Sequence, residues 1–439
     1  MASSRVRDPI HQFIALAPEE WRATDTYVFQ RLRKTTQLAM TYLVYPGTTH
    51  TRFEHSLGVR HVAGRLCESL KFTDDEKLPV LDAALLHDIG HGPFSHVSET
   101  VLDEKSGVAD VHEAISVALI RTNEELVAAL GQDRCNAAAD LIEGVGGRTV
   151  YKDIVSGSTD ADKLDYLLRD SYYAGTKYGE YDLAKIIESA TVIGNDQSGK
   201  LLGFTADGVW AVEGLLLARH HMWRQVYAHK TRIATDIMVT RALNAGIDEG
   251  LLPLDAYRVP TDASGNPAPT PAFLTLYMEQ SEASVTEALR NAPMGSIAGD
   301  LMRRLLRREL LKQTVCLRLH ELGPQVTSRR HLADVQDKWL TKDRRNQIEA
   351  VIAEALGVAS YLVAIRLDNW SNPTYRLGQS ASKEIMLDRE GSEVPLHDES
   401  EIFRNERGME HAYLYLYTPS SDPTIRGKAS ELLWRELEF

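Results

Sequence analysis

The chain has 439 residues, 43% hydrophobic and 25% charged, with a formal net charge of -13 at pH 7. That length exceeds what a single growing core accommodates, so two closely packed lobes are expected, over 1–250 and 251–439. The acidic balance argues against an extended nucleic-acid surface; the apolar runs are too short for a membrane span, and the first residues show no apolar h-region, so no leader is expected from them.

Helical periodicity predicts helices in pieces over 15–42, then over 56–70, 79–86, 112–120, 123–130 and 162–171. A hairpin is predicted from 191–193 and 201–204, turning through 195–199. A long helix follows over 208–244. The stretch 260–271, containing Gly265-Asn266-Pro267, reads as an exposed loop between the lobes. Helices over 284–290 and 345–356, strands over 361–366 and 412–417, and a helical tail over 430–438 complete a mainly α chain whose C-terminal lobe is α+β. The glycine-rich 143–147 lacks the Lys and Ser/Thr that close a phosphate loop, and reads as a turn. Trp21, Trp210 and Trp223 are expected in the core. Cys67, Cys135 and Cys316 are few and widely spaced, which suits reduced thiols filling the core of a cytoplasmic protein.

The run from Leu85 to His96, Leu-Leu-His-Asp-Ile-Gly-His-Gly-Pro-Phe-Ser-His, carries the most chemistry. An imidazole and a carboxylate at the end of an apolar helix need something to offset their desolvation, which a divalent cation would do. Gly90, Gly92 and Pro93 stop the helix and keep His91 and His96 nearby. Two other segments could complete such a site. One is 51–59, where His55 opens a helix. The other is 159–166. On the second, Asp162, Asp165, Tyr166, Arg169 and Asp170 share one helical face and Leu164, Leu167 and Leu168 the other. Alone, that stripe reads equally well as a solvated surface. Beside His55 and His87-Asp88 it reads as a source of ligands.

The order His55, His87-Asp88, Asp162 resembles the H…HD…D pattern of the HD-domain metal-dependent phosphohydrolases. Their deoxynucleoside triphosphate triphosphohydrolase branch, which carries a sterile alpha motif beside the HD domain, is the nearest likeness; no such module is read ahead of the region here. The strings that carry it are 8–11, 29–33, 45–47, 52–59, 87–96, 160–170 and 227–230. The resemblance implies a helical HD core and a metal held by His55, His87, Asp88 and Asp162. This mixed N/O set suits Fe, Mn, Zn, Ni or Co. It also implies hydrolysis of dNTP at the α-phosphorus to deoxynucleoside and triphosphate, with Mg²⁺ arriving on the nucleotide.

The family's phosphate- and sugar-binding positions map onto Arg52, Lys163, Tyr166, Asp170, Arg219 and Tyr227, and its sugar-edge positions onto Gln37 and Leu38. Read as one helix, Arg219, Tyr227 and Lys230 fall within about a quarter-turn. His96, supported by Glu99 at i+3 and by His112, is the implied acid or base. Alternatively, His91, His96 or His112 binds a second metal, or His91 and His112 only satisfy hydrogen bonds in the loop. Asp25, Gln30 and Arg33 match positions that bind an activating guanine nucleotide, although Ser4 stands where that site expects a lysine. The competing reading makes Asp25 a helix N-cap among buried ion pairs. A homo-oligomer, dimer or tetramer, is implied, with the C-terminal lobe taking part. The alternatives in function are an HD phosphatase or phosphodiesterase on another nucleotide, or a nucleotide-sensing oligomer with little turnover.

Overall fold

The computed structural model describes residues 4–109, 111–195, 199–318, 340–371, 384–389, 391–403 and 410–437. The chain begins with an antiparallel hairpin, Ser4–Asp8 and Gln12–Leu16, that turns Ile14 and Leu16 into the core. This corrects the helical reading at its start, since 15–16 is strand; alternation of exposed and buried residues sets the period there, and it is two rather than 3.6.

Two helices that bear or lead into the expected ligands start earlier than their apolar periodicity. Arg52–Ser69 opens with a capping box in which Glu54 Oε1 accepts from the Thr51 amide at 2.9 Å. Asp74–Leu86 opens with the equivalent Thr73/Glu76 box and holds Pro79 in its interior. These two pack on each other, and Val111–Thr122, Gln132–Glu143, Val150–Ser156 and Ala161–Ala174 close around them. Their shared interior is almost wholly aliphatic, including Leu57, Leu66, Leu85, Leu86, Ile115 and Leu164. The fold is mainly helical, with a smaller α+β region.

The expected hairpin forms from Ala190–Asn195 and Gly199–Thr205; positions 196–198 of its turn lie outside the described residues. Its second strand is joined in parallel by Met386–Arg389, which pairs with Ser392–Pro395. A separate sheet places Glu410–Thr418 between Lys312–Arg318 and Ala364–Ser371. The expected strand over 361–366 therefore begins later, because Ser360–Leu362 makes a 3₁₀ turn. Lys342–Leu356 and Pro423–Leu437 cover this sheet, burying Ile348, Ile352, Leu414, Leu416 and Leu433 in a small second core. The larger core runs from Ile14 to Tyr417 and takes in Tyr277 and Leu301. Among the described residues, no helix is long and apolar enough to cross a membrane.

Three further readings are corrected. The helix expected over 208–244 is two, Val209–Met222 and Lys230–Asp248, separated by a π-helical turn at Trp223–Tyr227. Trp210 is 76% exposed; its helix buries Val212, Leu215 and Leu216, and a residue two positions before Val212 points to the opposite side. Cys316 is exposed on an edge strand, where alternation turns it away from the side that buries Val315.

Candidate functional site

Four side chains from three helices meet at one point. His55 lies in the first turn of Arg52–Ser69, His87 caps the C-terminal end of Asp74–Leu86 with Asp88 next to it, and Asp162 lies in the first turn of Ala161–Ala174. His55 Nε2 is 3.0 Å from Asp162 Oδ1 and 3.6 Å from Asp88 Oδ2. His87 Nε2 is 3.4 Å from Asp88 Oδ1 and 3.8 Å from Asp162 Oδ1. Ligand atoms about 2.1 Å from one ion lie roughly 3.0–3.4 Å apart, so the spacing suits a shared cation. His87 Nδ1–H donates to the Ala84 carbonyl at 2.9 Å, which leaves the lone pair on Nε2. That buried Nε2 has no hydrogen-bond partner among the described residues. An orphaned imidazole nitrogen among carboxylates is the donor a divalent ion needs.

Asp165, one turn beyond Asp162, serves the set from behind. Its Oδ2 accepts from His55 Nδ1 at 2.8 Å, so His55 also presents Nε2. Its other oxygen lies 2.7 Å from His11 Nε2, and Arg169 donates to both oxygens at 2.8 and 2.9 Å. Arg169 also reaches Asp8, whose second oxygen accepts from the Ile10 and His11 amides. Burial would raise the Asp165 carboxyl, but Arg169 and the two histidines hold it well below the usual carboxylate range. A Cβ at Gly58 would stand 1.9 Å from Asp165 Oδ1, so only glycine lets the two helices approach this closely.

The electrostatics favour positive charge at the meeting point. Burial would push His55 down, yet bonds to Asp162 and Asp165 push it up to about 10. Burial would raise Asp162 and Asp88, but His55 and His87 hold the first well below its usual range, and Arg52, His87 and His91 the second.

This point floors a cavity of about 490 Å³. Gln37, Leu38, Arg52, His87, Asp88, His96, His112, Asp162, Lys163, Tyr166, Asp170, Arg219 and Tyr227 all line it; His55 and Glu99 lie behind its wall. Gln37 Oε1, Arg52 Nη2 and His91 Nδ1 are buried among these lining residues without partners. Each such atom costs about 1–3 kcal/mol unless a ligand satisfies it. Arg52 is held by Asp88 at 2.5 Å and Ser95 at 2.8 Å, and Lys163 by Asp160 at 2.5 Å. Burial works against the Lys163 charge, but Asp160 keeps it protonated although Arg219 opposes this.

On the opposite wall, Tyr227 donates to Asp170 at 2.6 Å, and His50 holds the other Asp170 oxygen at 2.7 Å while stacking on Tyr173. The π turn sets Tyr227 in this place. Lys230, which opens the next helix, is exposed and does not line the cavity. The expectation that Arg219, Tyr227 and Lys230 share a helical face is thereby corrected.

At the mouth, Glu99 bridges two imidazoles: His96 Nδ1 at 2.8 Å and His112 Nδ1 in a short contact. Burial raises Glu99, but the two histidines drive it well below its usual range; burial lowers His112, but Glu99 raises it above its own. His91 stacks on His112 with ring centres 4.3 Å apart. His91, His96 and Glu99 also offer three donor atoms within 4.8 Å of one another. Just ahead, Phe94 and Ser95 have φ of 64° and 51°, strain of about 1–3 kcal/mol per residue of the kind found at functional sites.

Asp25, Gln30 and Arg33 lie outside the cavity. Asp25 is exposed and closes the Pro18–Thr24 helix, so it is a C-cap and not the N-cap of the competing reading, and Arg33 is exposed rather than in a buried ion pair. Arg33 donates to Gln30 and covers the Phe53 ring at 3.5 Å. Sequence reasoning gave no role to His50, Ser95, Asp160, Asp165 or Arg232, which also lines the cavity. For Asp165 the signal was present, since it shares the helical face of Asp162.

Residues 52–170 match the HD domain and residues 181–264 the HD associated region. An uncharacterised protein of Methanocaldococcus jannaschii is 40% identical over 245 residues, 56% of this chain and 50% of that protein. The deoxynucleoside triphosphate triphosphohydrolase SAMHD1 of Gallus gallus is 30% identical over 353 residues, 70% of this chain and 55% of that protein. The chain thus spans about half the length of the curated relatives it matches. A phosphohydrolase structure from Bacteroides thetaiotaomicron superposes with a TM-score of 0.72 at 25% identity, covering 95% of this chain and 99% of that one. The H…HD…D side chains thus converge inside the matched segment, and the chain carries an HD domain followed by an HD-associated region.

Proposed function

We propose that the chain is a dNTP triphosphohydrolase, cleaving at the α-phosphorus to give a deoxynucleoside and triphosphate. The observation that carries this reading is a single cavity joining the His55/His87/Asp88/Asp162 set to Arg52, Lys163 and Arg219 on one side and to His96–Glu99 on the other. A divalent ion among Fe, Mn, Zn, Ni or Co, when bound by those four residues, supplies a more acidic water and a polarised P–O bond.

The remaining work falls to side chains. Arg52, Lys163 and Arg219 bind the phosphates, with Tyr166 beside them and Mg²⁺ accompanying the nucleotide. Gln37 and Asp170 bind the sugar, and Leu38 and Tyr227 crowd a 2′-hydroxyl. A water oxygen bonds to the α-phosphorus, the bond to the 5′-oxygen breaks, and the water's proton passes to solvent, from which His96 is reprotonated. With Nδ1–H committed to Glu99, His96 Nε2–H delivers the proton to the 5′-oxygen. His112 shares the Glu99 carboxylate and keeps it ionised.

A cytoplasmic dimer or tetramer with the 251–439 lobe at its interfaces, and activation by a nucleotide at Asp25, Gln30 and Arg33, belong to the same proposal. A second reading, phosphatase or phosphodiesterase activity with two ions, is favoured by the donors of His91, His96 and Glu99. The test is incubation of purified protein with dNTPs, rNTPs and monophosphates, with and without GTP, resolving the products by ³¹P NMR. Triphosphate from dNTPs supports the proposal and orthophosphate supports the second reading. Saturable binding without product identifies a sensor and defeats both.

A further inference from the structure

The loop between His87 and His96 has few backbone hydrogen bonds of its own, and side chains from distant segments replace them. Arg31 donates from Nη1 to the His91 carbonyl at 2.7 Å and from Nη2 to the Ile89 carbonyl at 3.1 Å. The carbonyl between them, Gly90, accepts from the Tyr277 hydroxyl at 2.7 Å. Three successive carbonyls beside the ligand pair are therefore held by two buried side chains. The Arg31 guanidinium in turn lies 5.6 Å from the Tyr277 ring centre.

Farther along the loop, Glu282 Oε1 accepts from the Phe94 amide at 3.1 Å and from the amide and hydroxyl of Thr36 at 2.8 and 2.7 Å. That carboxylate fixes one end of the strained Phe94–Ser95 turn from which His96 projects. Gly92 lies against the Tyr277 hydroxyl so closely that a Cβ would approach it to 2.7 Å. Tyr277 and Glu282 belong to Pro271–Met278 and Glu282–Arg290, beyond residue 264 where the HD-associated match ends.

We propose that Tyr277 and Glu282 are positioning residues of the active site, through which the segment after residue 264 sets the aim of His91 and His96. A helix would satisfy the loop's polar groups from its own backbone, but the Gly90 carbonyl and the Phe94 amide take their partners from Tyr277 and Glu282, so these two anchors hold only while those helices are docked. The kinetic part of this inference rests on the hydrolase reading above.

The test compares Tyr277→Phe with Tyr257→Phe in the full chain. Tyr257 is as deeply buried, but its hydroxyl has no hydrogen-bond partner among the described residues, so its loss reports core packing alone. Tyr277→Phe is expected to lower kcat roughly 10–100-fold, as losses of outer partners do, with KM nearly unchanged. It should also raise amide deuterium uptake across 89–95 in the protein as purified. Glu282→Ala should do the same, and Glu282→Gln, which keeps an acceptor oxygen, should recover most of the loss. Unchanged uptake and kcat in Tyr277→Phe, or equal changes in Tyr257→Phe, would overturn the proposal. If the wild type hydrolyses no nucleotide, the hydrolase reading fails, and uptake across 89–95 still decides this one.

Discussion

Asp165→Asn would keep the side-chain volume while removing the charge that orients His55. In the native site the carboxylate accepts from His55 Nδ1 at 2.8 Å and from two Arg169 nitrogens at 2.8 and 2.9 Å, in fully buried surroundings. An asparagine offers one acceptor oxygen, so either the imidazole or the guanidinium goes unsatisfied. Losing such a partner behind a metal-binding histidine costs roughly 10–100-fold in metal affinity or activity, about 1.4–2.8 kcal/mol. Separately, unpairing a buried arginine typically costs about 3–5 kcal/mol of stability, and Asp8 at 2.9 Å retains part of that pairing. Because the folded Asp165 carboxyl is depressed far below its ordinary 3.8, its stabilisation is complete above about pH 4 and fades as pH falls towards the folded value. The measurement is chelator competition for the bound ion, at a temperature where circular dichroism shows both proteins folded, paired with melting curves. An Asp165→Asn protein that binds metal and melts like the wild type would refute the role given to Asp165.

Further outcomes are expected. His87→Ala and Asp162→Ala should each abolish bound metal, read by elemental analysis, and turnover with it, while far-ultraviolet circular dichroism stays unchanged. The stability that the Glu99–His112 pair contributes should show in the melting-temperature difference between wild type and Glu99→Gln. Glu99 is lowered from 4.5 and His112 raised from 6.5. The difference should therefore be largest between about pH 4.5 and 6.5, shrink below as Glu99 protonates, and shrink above as His112 loses its proton. A flat profile would contradict this. Leu38→Ala should reduce the dNTP-to-rNTP ratio of kcat/KM by about tenfold or more, the scale of a lost methyl-sized contact, and an unchanged ratio would remove Leu38 from sugar discrimination.

Much of the helical lobe is legible from local pattern. The stretches 112–120 and 162–171 appear as Val111–Thr122 and Ala161–Ala174, because an apolar face at helical spacing has one good burial geometry. Start points are not legible from the apolar face where capping pairs extend a helix past it, as at Thr51/Glu54. The break at Trp223–Tyr227 was not legible, since the residues on both sides suit a helix. Likewise nothing local announces that Gly199–Thr205 pairs with Met386–Arg389, almost half the chain away.

For the site, residue type and spacing singled out His87-Asp88 and offered His55 and the 159–166 segment to complete it, because few structural reasons place imidazoles and carboxylates beside an apolar helix end; Asp162 as the fourth ligand was implied by the family resemblance. Type and spacing could not separate Asp162, which faces the ion position, from Asp165 one turn on, which holds His55 from behind; helical periodicity gives both the same face. That division of labour depends on where a second helix presents Gly58 and His55, and the brace on the loop depends on where Tyr277 and Glu282 arrive. Local sequence determines which groups can donate, accept or bind a cation, since that chemistry travels with the residue. Long-range packing alone decided which of them face one another, because hydrogen bonds and ion pairs act over about 3 Å while residues that make them, such as Thr36 and Glu282, stand 246 positions apart.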